Sequence, residues 1–170
     1  MNLREKALNI KAIVLDIDGV LTDGRIGYCG DNKDEIKFFN VKDGLGIYLA
    51  LQEGYKVGVL SGKVSKANKT RCQELNLSFV YEGEVNKKIA FEKLLLENNL
   101  KASECMYIGD DIIDIPALKM AGISISPSDG VEEIGKYCDF KTSKKGGKGA
   151  VREAIVWLLK ESGKWNSIIQ

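Results

Sequence analysis

The stretch VLDIDGVLTDG, residues 14–24, drives branched apolar residues straight into three acids, Asp16, Asp18 and Asp23. With Ala12 and Ile13 before it, the apolar part is too continuous for a half-exposed strand and reads as a strand buried on both faces. Acids at the end of such a strand need a reason, because neighbouring carboxylates repel and burial penalises their charged forms. In open α/β sheets, functional groups collect at the carboxyl ends of the strands. The stretch therefore places its apolar half in a sheet and its acids at a site.

The rest of the chain repeats the pattern. Further strand-like runs are VGVLSG (57–62), FVY (79–81), MYIGD (106–110) and ISIS (123–126). Between them lie helix-period segments: DGLGIYLALQEG (43–54), KVSKANKTRCQEL (63–75), NKKIAFEKLLLENN (86–99) and IIDIPALKMAG (112–122). A last helix is expected over about 148–162, with Ile155, Val156, Leu158 and Leu159 inward. Strands alternating with helices predict a Rossmann-like three-layer α/β sandwich with a central parallel sheet. RIGYCGDNKDEIKFFN (25–40) breaks the alternation and reads as a β-hairpin around Gly-Asp-Asn-Lys, projecting over the acidic end of the sheet. Its aromatic residues Tyr28, Phe38 and Phe39 are expected at subunit contacts. SKKGGKG (143–149) has the composition of a flexible loop. With no linker or repeat, residues 1–170 are expected to form a single domain.

Composition removes several chemistries. The 170 residues contain no histidine, which excludes Ser-His-Asp and Cys-His catalysis and His-ligated zinc. The cysteines Cys29, Cys72, Cys105 and Cys138 form no C-x-x-C pair and read as reduced thiols. A net charge of +1 gives no field for nucleic acid or a membrane surface. No leader-like apolar segment opens the chain, and no run approaches the about 20 residues that span a bilayer. A cytoplasmic protein is expected.

What remains is chemistry on carboxylates, hydroxyls, lysines and a metal. The strand ends bring Asp16 and Asp18, then Ser61 and Gly62, then Lys87, then Asp110 and Asp111 to one rim. Hard oxygen ligands suit Mg²⁺, with Asp16 and Asp110 as side-chain ligands. Asp16 can attack phosphorus as a nucleophile, and Asp18 can serve as acid and then base. Ser61, the N–H of Gly62 at a helix start, and Lys87 can hold phosphoryl oxygens. Asp111 reads as a helix cap and Asp43 as a helix-start acid.

In order, D16-I-D18-G, S61-G, K87 and G109-D110-D111-x-x-D114 resemble the four motifs of the haloacid dehalogenase superfamily of phosphatases. The resemblance implies that the backbone carbonyl of Asp18 also meets Mg²⁺ and that Asp111 and Asp114 support the metal. DIDGVLTDG, IKFFNVKDGLGI, NKKIAFEKLL, YIGDDIIDIPAL and GGKGAVREA extend it to the subfamily of 3-deoxy-D-manno-octulosonate 8-phosphate (KDO 8-phosphate) phosphatases of lipopolysaccharide precursor synthesis. That subfamily has no large cap domain. Its members are typically homotetramers, in which the hairpin builds the assembly and the C-terminal tail can reach a neighbour's site. Lys63 and Lys148 stand where arginine is usual, and both are candidate contacts to the sugar acid. A cation at position 63 favours the eight-carbon substrate over nine-carbon ulosonate 9-phosphates. A non-catalytic tetramerisation module is the rival of another class.

Overall fold

The computed structural model describes residues 2–31 and 34–169; two residues of the expected hairpin turn, Asn32 and Lys33, lie outside them. The first helix, α1 (Leu3–Asn9), leads into β1 (Ala12–Leu15). A two-stranded antiparallel hairpin follows, β2 (Gly27–Cys29) and β3 (Asp34–Ile36). Strand–helix units then succeed one another: α2 (Val41–Gln52), β4 (Lys56–Ser61), α3 (Lys66–Glu74), β5 (Phe79–Glu82), α4 (Lys87–Asn98), β6 (Cys105–Ile108), α5 (Ile115–Met120) and β7 (Ile123–Ser126). A short β8 (Phe140–Lys141), α6 (Ala150–Glu161) and α7 (Trp165–Ile168) complete the chain. The six-stranded sheet runs β5-β4-β1-β6-β7-β8, every pair parallel.

Period-two alternation along β1 divides the core. Ile13 and Leu15 face a layer built with Ala7 of α1, Ile47 and Ala50 of α2, and Ile155 and Leu158 of α6. Ala12 and Val14 face Phe91 and Leu94 of α4 and Leu118 of α5 on the other side. All four β1 residues are fully buried, as expected of a central parallel strand covered on both faces. Leu15 lies beside Val59 of β4 and Ile108 of β6, so β1, β4 and β6 end at the same rim.

Four local expectations are corrected. The helix after β4 begins at Lys66, with Ser65 in the capping position, because Ser61 remains a strand residue paired with Glu82. Gly62 therefore does not open a helix. SKKGGKG is packed: Gly146 and Gly147 are buried, and Gly147 N–H donates to Val20 O at 3.0 Å. A Cβ on Gly146 would stand 1.7 Å from Gly19 O, so glycine here permits close backbone approach rather than motion. Phe39 packs on its own core under the Arg71 guanidinium, 5.7 Å from the ring centroid, while Tyr28 and Phe38 are exposed. Val156 is only half-buried, one step round α6 from the buried stripe.

The tail does not extend away. Trp165 and Ile168 pack against the core of their own chain, and Lys164 Nζ donates to Glu53 O at 2.6 Å. Strand β8 escaped the sequence reading because two residues carry no periodicity. Among the described residues, no helix is long and apolar enough to cross a membrane.

Candidate active site

The turn after β1 is built around Thr22. Its buried hydroxyl oxygen accepts from the N–H groups of Gly19 and Gly24 at 3.4 and 3.2 Å, closing residues 17–24 into a compact loop. Gly19 adopts φ +87°, and a Cβ there would lie 1.9 Å from Asp110 Oδ2. Glycine is thus required twice, for the backbone angle and for the carboxylate lying against it. Gly19→Ala is expected to weaken Mg²⁺ binding by about 10–100-fold, as when other support for metal ligands is disturbed. Calorimetric titration with Mg²⁺ reads this; wild-type affinity would contradict the packing argument.

Asp16 leaves the β1 ladder with its N–H still donating to Ile108 O at 2.9 Å, and its carboxylate is buried at the rim. Lys87, the first residue of α4, sends a fully buried side chain beneath it. Lys87 Nζ donates to Asp16 Oδ1 at 2.8 Å and to Leu60 O, and lies 3.3 Å from Asp114 Oδ1. Asn86 caps α4 by accepting from the N–H groups of Lys88 and Ile89, which holds the helix start against the end of β4. The ammonium is therefore a fixed charge fastened between two carboxylates.

Carboxylate oxygens of Asp16, Asp110 and Asp114 lie within 4.8 Å of one another. The three are not equivalent. Asp114 Oδ1 accepts from Tyr107 Oη at 2.7 Å, and Asp114 Oδ2 accepts from the N–H groups of Asp110 and Asp111 at 3.0 and 3.3 Å. Its acceptor capacity serves the loop. Asp110 Oδ1 is buried, and among the described residues none hydrogen-bonds to it. An orphaned carboxylate oxygen next to a second carboxylate is the donor set of a hard divalent cation, and it fits Mg²⁺. Asp111 points outward and caps the 3₁₀ turn Ile112–Asp114, accepting from Ile112 N–H at 2.6 Å.

The electrostatics agree with that division. Burial, then the repulsion of Asp114, pushes the Asp16 carboxyl up to about 6, with Lys87 opposing. Burial, then the charges of Asp16, Asp114 and Asp111, pushes Asp110 up to about 8. A bound cation removes both penalties.

Ser61, the last residue of β4, is buried; its hydroxyl oxygen accepts from Lys63 N–H at 3.2 Å. A Cβ on Gly62 would stand 3.6 Å from Val85 Cα, in ordinary contact. Lys63 and Lys148 are engaged within the chain: Lys63 pairs with Glu35 of β3, and Lys148 lies 3.6 Å from Asp23. Asp23, the third acid of the opening stretch, stands apart from the cluster, where the Arg25 guanidinium holds it below the usual carboxylate range. Asp43 is buried and accepts from the N–H groups of Gly149 and Arg152 at 3.2 and 2.7 Å, tying α2 to the start of α6. Sequence reasoning missed Lys37. It is buried behind the hairpin and donates to both oxygens of Asp18 at 2.7 and 2.9 Å. The only signal was the placing of the hairpin over the acidic rim.

A family model described as haloacid dehalogenase-like hydrolase matches residues 59–155. The 3-deoxy-D-manno-octulosonate 8-phosphate phosphatase KdsC of Escherichia coli strain K12 is 41% identical over 159 residues, 94% of this chain and 84% of that protein. The chain belongs to the haloacid dehalogenase-like hydrolases. Solved structures of haloacid dehalogenase-like hydrolases share its fold over nearly the whole length. The KDO 8-phosphate phosphatase of Moraxella catarrhalis, in complex with a magnesium ion, a phosphate ion and KDO, superposes with a TM-score of 0.93 at 36% identity, covering 98% of this chain and 95% of that one. The cobalt-bound enzyme of Haemophilus influenzae gives 0.92 at 36% identity, covering 97% and 96%.

Proposed function

We propose that this chain is a Mg²⁺-dependent phosphatase that hydrolyses KDO 8-phosphate to KDO and phosphate in the cytoplasm, within lipopolysaccharide precursor synthesis. One observation carries the chemistry: a buried strand-end carboxylate, Asp16, is fastened to a buried ammonium, Lys87, beside the unpartnered oxygen of Asp110. The extent of likeness to KdsC of Escherichia coli, 41% over 94% of the chain, supports the eight-carbon substrate over the nine-carbon one.

In this reading Asp16 attacks phosphorus, and the bond from phosphorus to the sugar oxygen breaks. Asp18 gives that oxygen its proton. Asp18 then takes a proton from water as the water attacks the aspartyl-phosphate, which releases phosphate and restores Asp16. Ser61, the N–H of Gly62 and Lys87 hold the phosphoryl oxygens. Asp16, the backbone carbonyl of Asp18 and Asp110 would hold Mg²⁺, which supplies positive charge to offset the repulsion between nucleophile and phosphate. Asp114 positions the Asp110 backbone, and Asp111 caps the same loop. Lys63 and Lys148 meet the sugar acid by exchanging Glu35 and Asp23 for substrate oxygens. A homotetramer closes the site. The apolar surface of Tyr28, Phe38 and Val41, which are 63%, 68% and 81% exposed, supplies area for it.

Phosphate release from KDO 8-phosphate with and without Mg²⁺, beside a nine-carbon 9-phosphate and an aryl phosphate, tests the reading. Metal-dependent release from the first alone is expected; release from none would overturn it. The raised Asp110 and Asp16 carboxyls add a pH prediction. Between the ordinary value of 3.8 and the folded values of about 6 and 8, the folded chain binds more protons than the unfolded one. Metal-free stability from these groups therefore falls as pH rises through that window. Mg²⁺ requires both groups deprotonated, so its stabilising shift in melting temperature grows from pH 6 to pH 8. A shift independent of pH would contradict the assignment of Asp16 and Asp110.

A further inference from the structure

Asp18 sits on the turn beyond β1, with about a third of its side chain open to solvent (30%). A long-range partner holds it there. Lys37, the residue after β3, turns inward, and no part of its side chain is exposed. Its ammonium donates to Asp18 Oδ1 at 2.7 Å, to Asp18 Oδ2 at 2.9 Å and to Asn68 Oδ1 at 3.0 Å. Asn68 belongs to α3, is fully buried, and is itself oriented by donating to Lys63 O at 3.4 Å. The strand that ends just before Lys37 is tied to the same segment by Asp34 to Lys66 at 2.9 Å. A cation held by Asn68 on one side, next to a fastened strand, grips both oxygens of one carboxylate.

We infer that Lys37 is the positioning residue of Asp18: it sets the direction of the carboxylate that moves the proton, and the hairpin is the arm that carries it. The inference rests on the phosphatase reading, in which Asp18 is the acid and base. An unsupported carboxylate on a solvent-facing turn would sample several rotamers, and misplacement of about 1 Å is enough to lower a rate about 10²-fold. The contacts of the Lys37 ammonium are to Asp18, Asn68 and, at 4.0 Å, Glu35, so any effect on the chemistry runs through Asp18.

Lys37→Met keeps an unbranched side chain one atom shorter and removes the charge. The expected result is a kcat lowered about 10²-fold, within the about 10²–10⁴-fold contribution of general acid–base catalysis, with KM changed less than about threefold. Lys37→Arg restores part of the loss. In the Asp18→Asn background, Lys37→Met costs little more, because the group it positions is already disabled. Crystals of Lys37→Met grown with Mg²⁺ and beryllofluoride should show the Asp18 carboxylate displaced while Asp16 and Lys87 keep their places. An unmoved Asp18, or losses that multiply in the double variant, would overturn the inference. If Lys37→Met does not fold, Asn68→Ala loosens the ammonium without removing it. A lowered kcat at unchanged KM then supports positioning, and wild-type kcat with a lowered melting temperature refutes it. If the wild type releases phosphate from no ester, the phosphatase reading falls, and the position of Asp18 in the crystals still decides the role of Lys37.

Discussion

Asp16→Asn is expected to lower kcat for phosphate release by about 10⁴-fold or more, the loss that follows if the proposed covalent nucleophile is removed. The side chain keeps its shape, and its oxygen can still accept from Lys87. The amide cannot form the acyl-phosphate. Fold and melting temperature should survive, because the substitution exchanges a poorly placed charge for a neutral group. Burial and the nearby Asp114 push the Asp16 carboxyl up to about 6, so its ionised form is disfavoured in the folded chain without metal. The sign of the stability effect follows. At pH 8 with a chelator present, wild-type Asp16 is ionised and costs stability; at pH 5 it is largely protonated and does not. The variant should therefore compare better with wild type at pH 8 than at pH 5. Phosphate release and thermal melts at both pH values provide the check. Substantial residual turnover in Asp16→Asn would remove Asp16 from the nucleophile's role.

Lys87→Met has the second large effect, and it acts on stability as well as rate. The Lys87 ammonium is buried between Asp16 and Asp114 and also donates to Leu60 O. Removing it leaves a cluster of carboxylates without a cation. Breaking a buried ion pair from one side costs about 3–5 kcal/mol. In a domain of this size each kcal/mol is worth about 2–4 °C, so the melting temperature drops by roughly 6–20 °C in chelator. The drop should shrink on acidification, because protonated carboxyls no longer repel, and on adding Mg²⁺, because a second cation takes over part of the work. Turnover falls by about 10²–10³-fold, the usual loss when one group stabilising a developing negative charge is deleted. A melting temperature equal to that of wild type at pH 8 in chelator would show that the cluster is not charged as described.

Both predictions act on residues that local pattern had already singled out. Asp16 was legible because a buried strand ending in charge is anomalous, and physical reasons for anomalies are few. Lys87 stood out less, since Asn-Lys-Lys also describes a solvated helix start. Its neighbour Lys88 is that solvated residue, 61% exposed, while Lys87 is hidden. The helix cap at Asn86 decides between them by fixing which lysine faces the end of β4. Where sequence reading went astray, the cause was long-range packing. SKKGGKG has the composition of a loose loop, yet Gly146 and Gly147 lie against the backbone of residues 19–23. Gly62 was expected to open a helix, but the β4–β5 ladder keeps Ser61 in the strand and delays α3 until Lys66. Lys63 and Lys148, candidate contacts to the sugar acid by sequence, each have an acid beside them from a distant segment, which no local pattern announced.

The amino-acid order by itself determined the layered α/β fold, the burial of β1 on both faces and the rim at which Asp16, Ser61, Lys87 and Asp110 gather. Those outcomes follow from short-range periodicity and from the rule that parallel strands open their functional groups at one end. Tertiary structure alone decided which acid is left without a partner and which is consumed by the loop, Asp110 against Asp114. It also decided that Lys37 of the hairpin grips Asp18. A carboxylate's role depends on which donors reach it: those of Asp18 and Asp16 come from 19 and 71 residues away along the chain, while those of Asp114 lie within seven residues and are aimed at it by the folded loop. No local spacing encodes the long-range pairs.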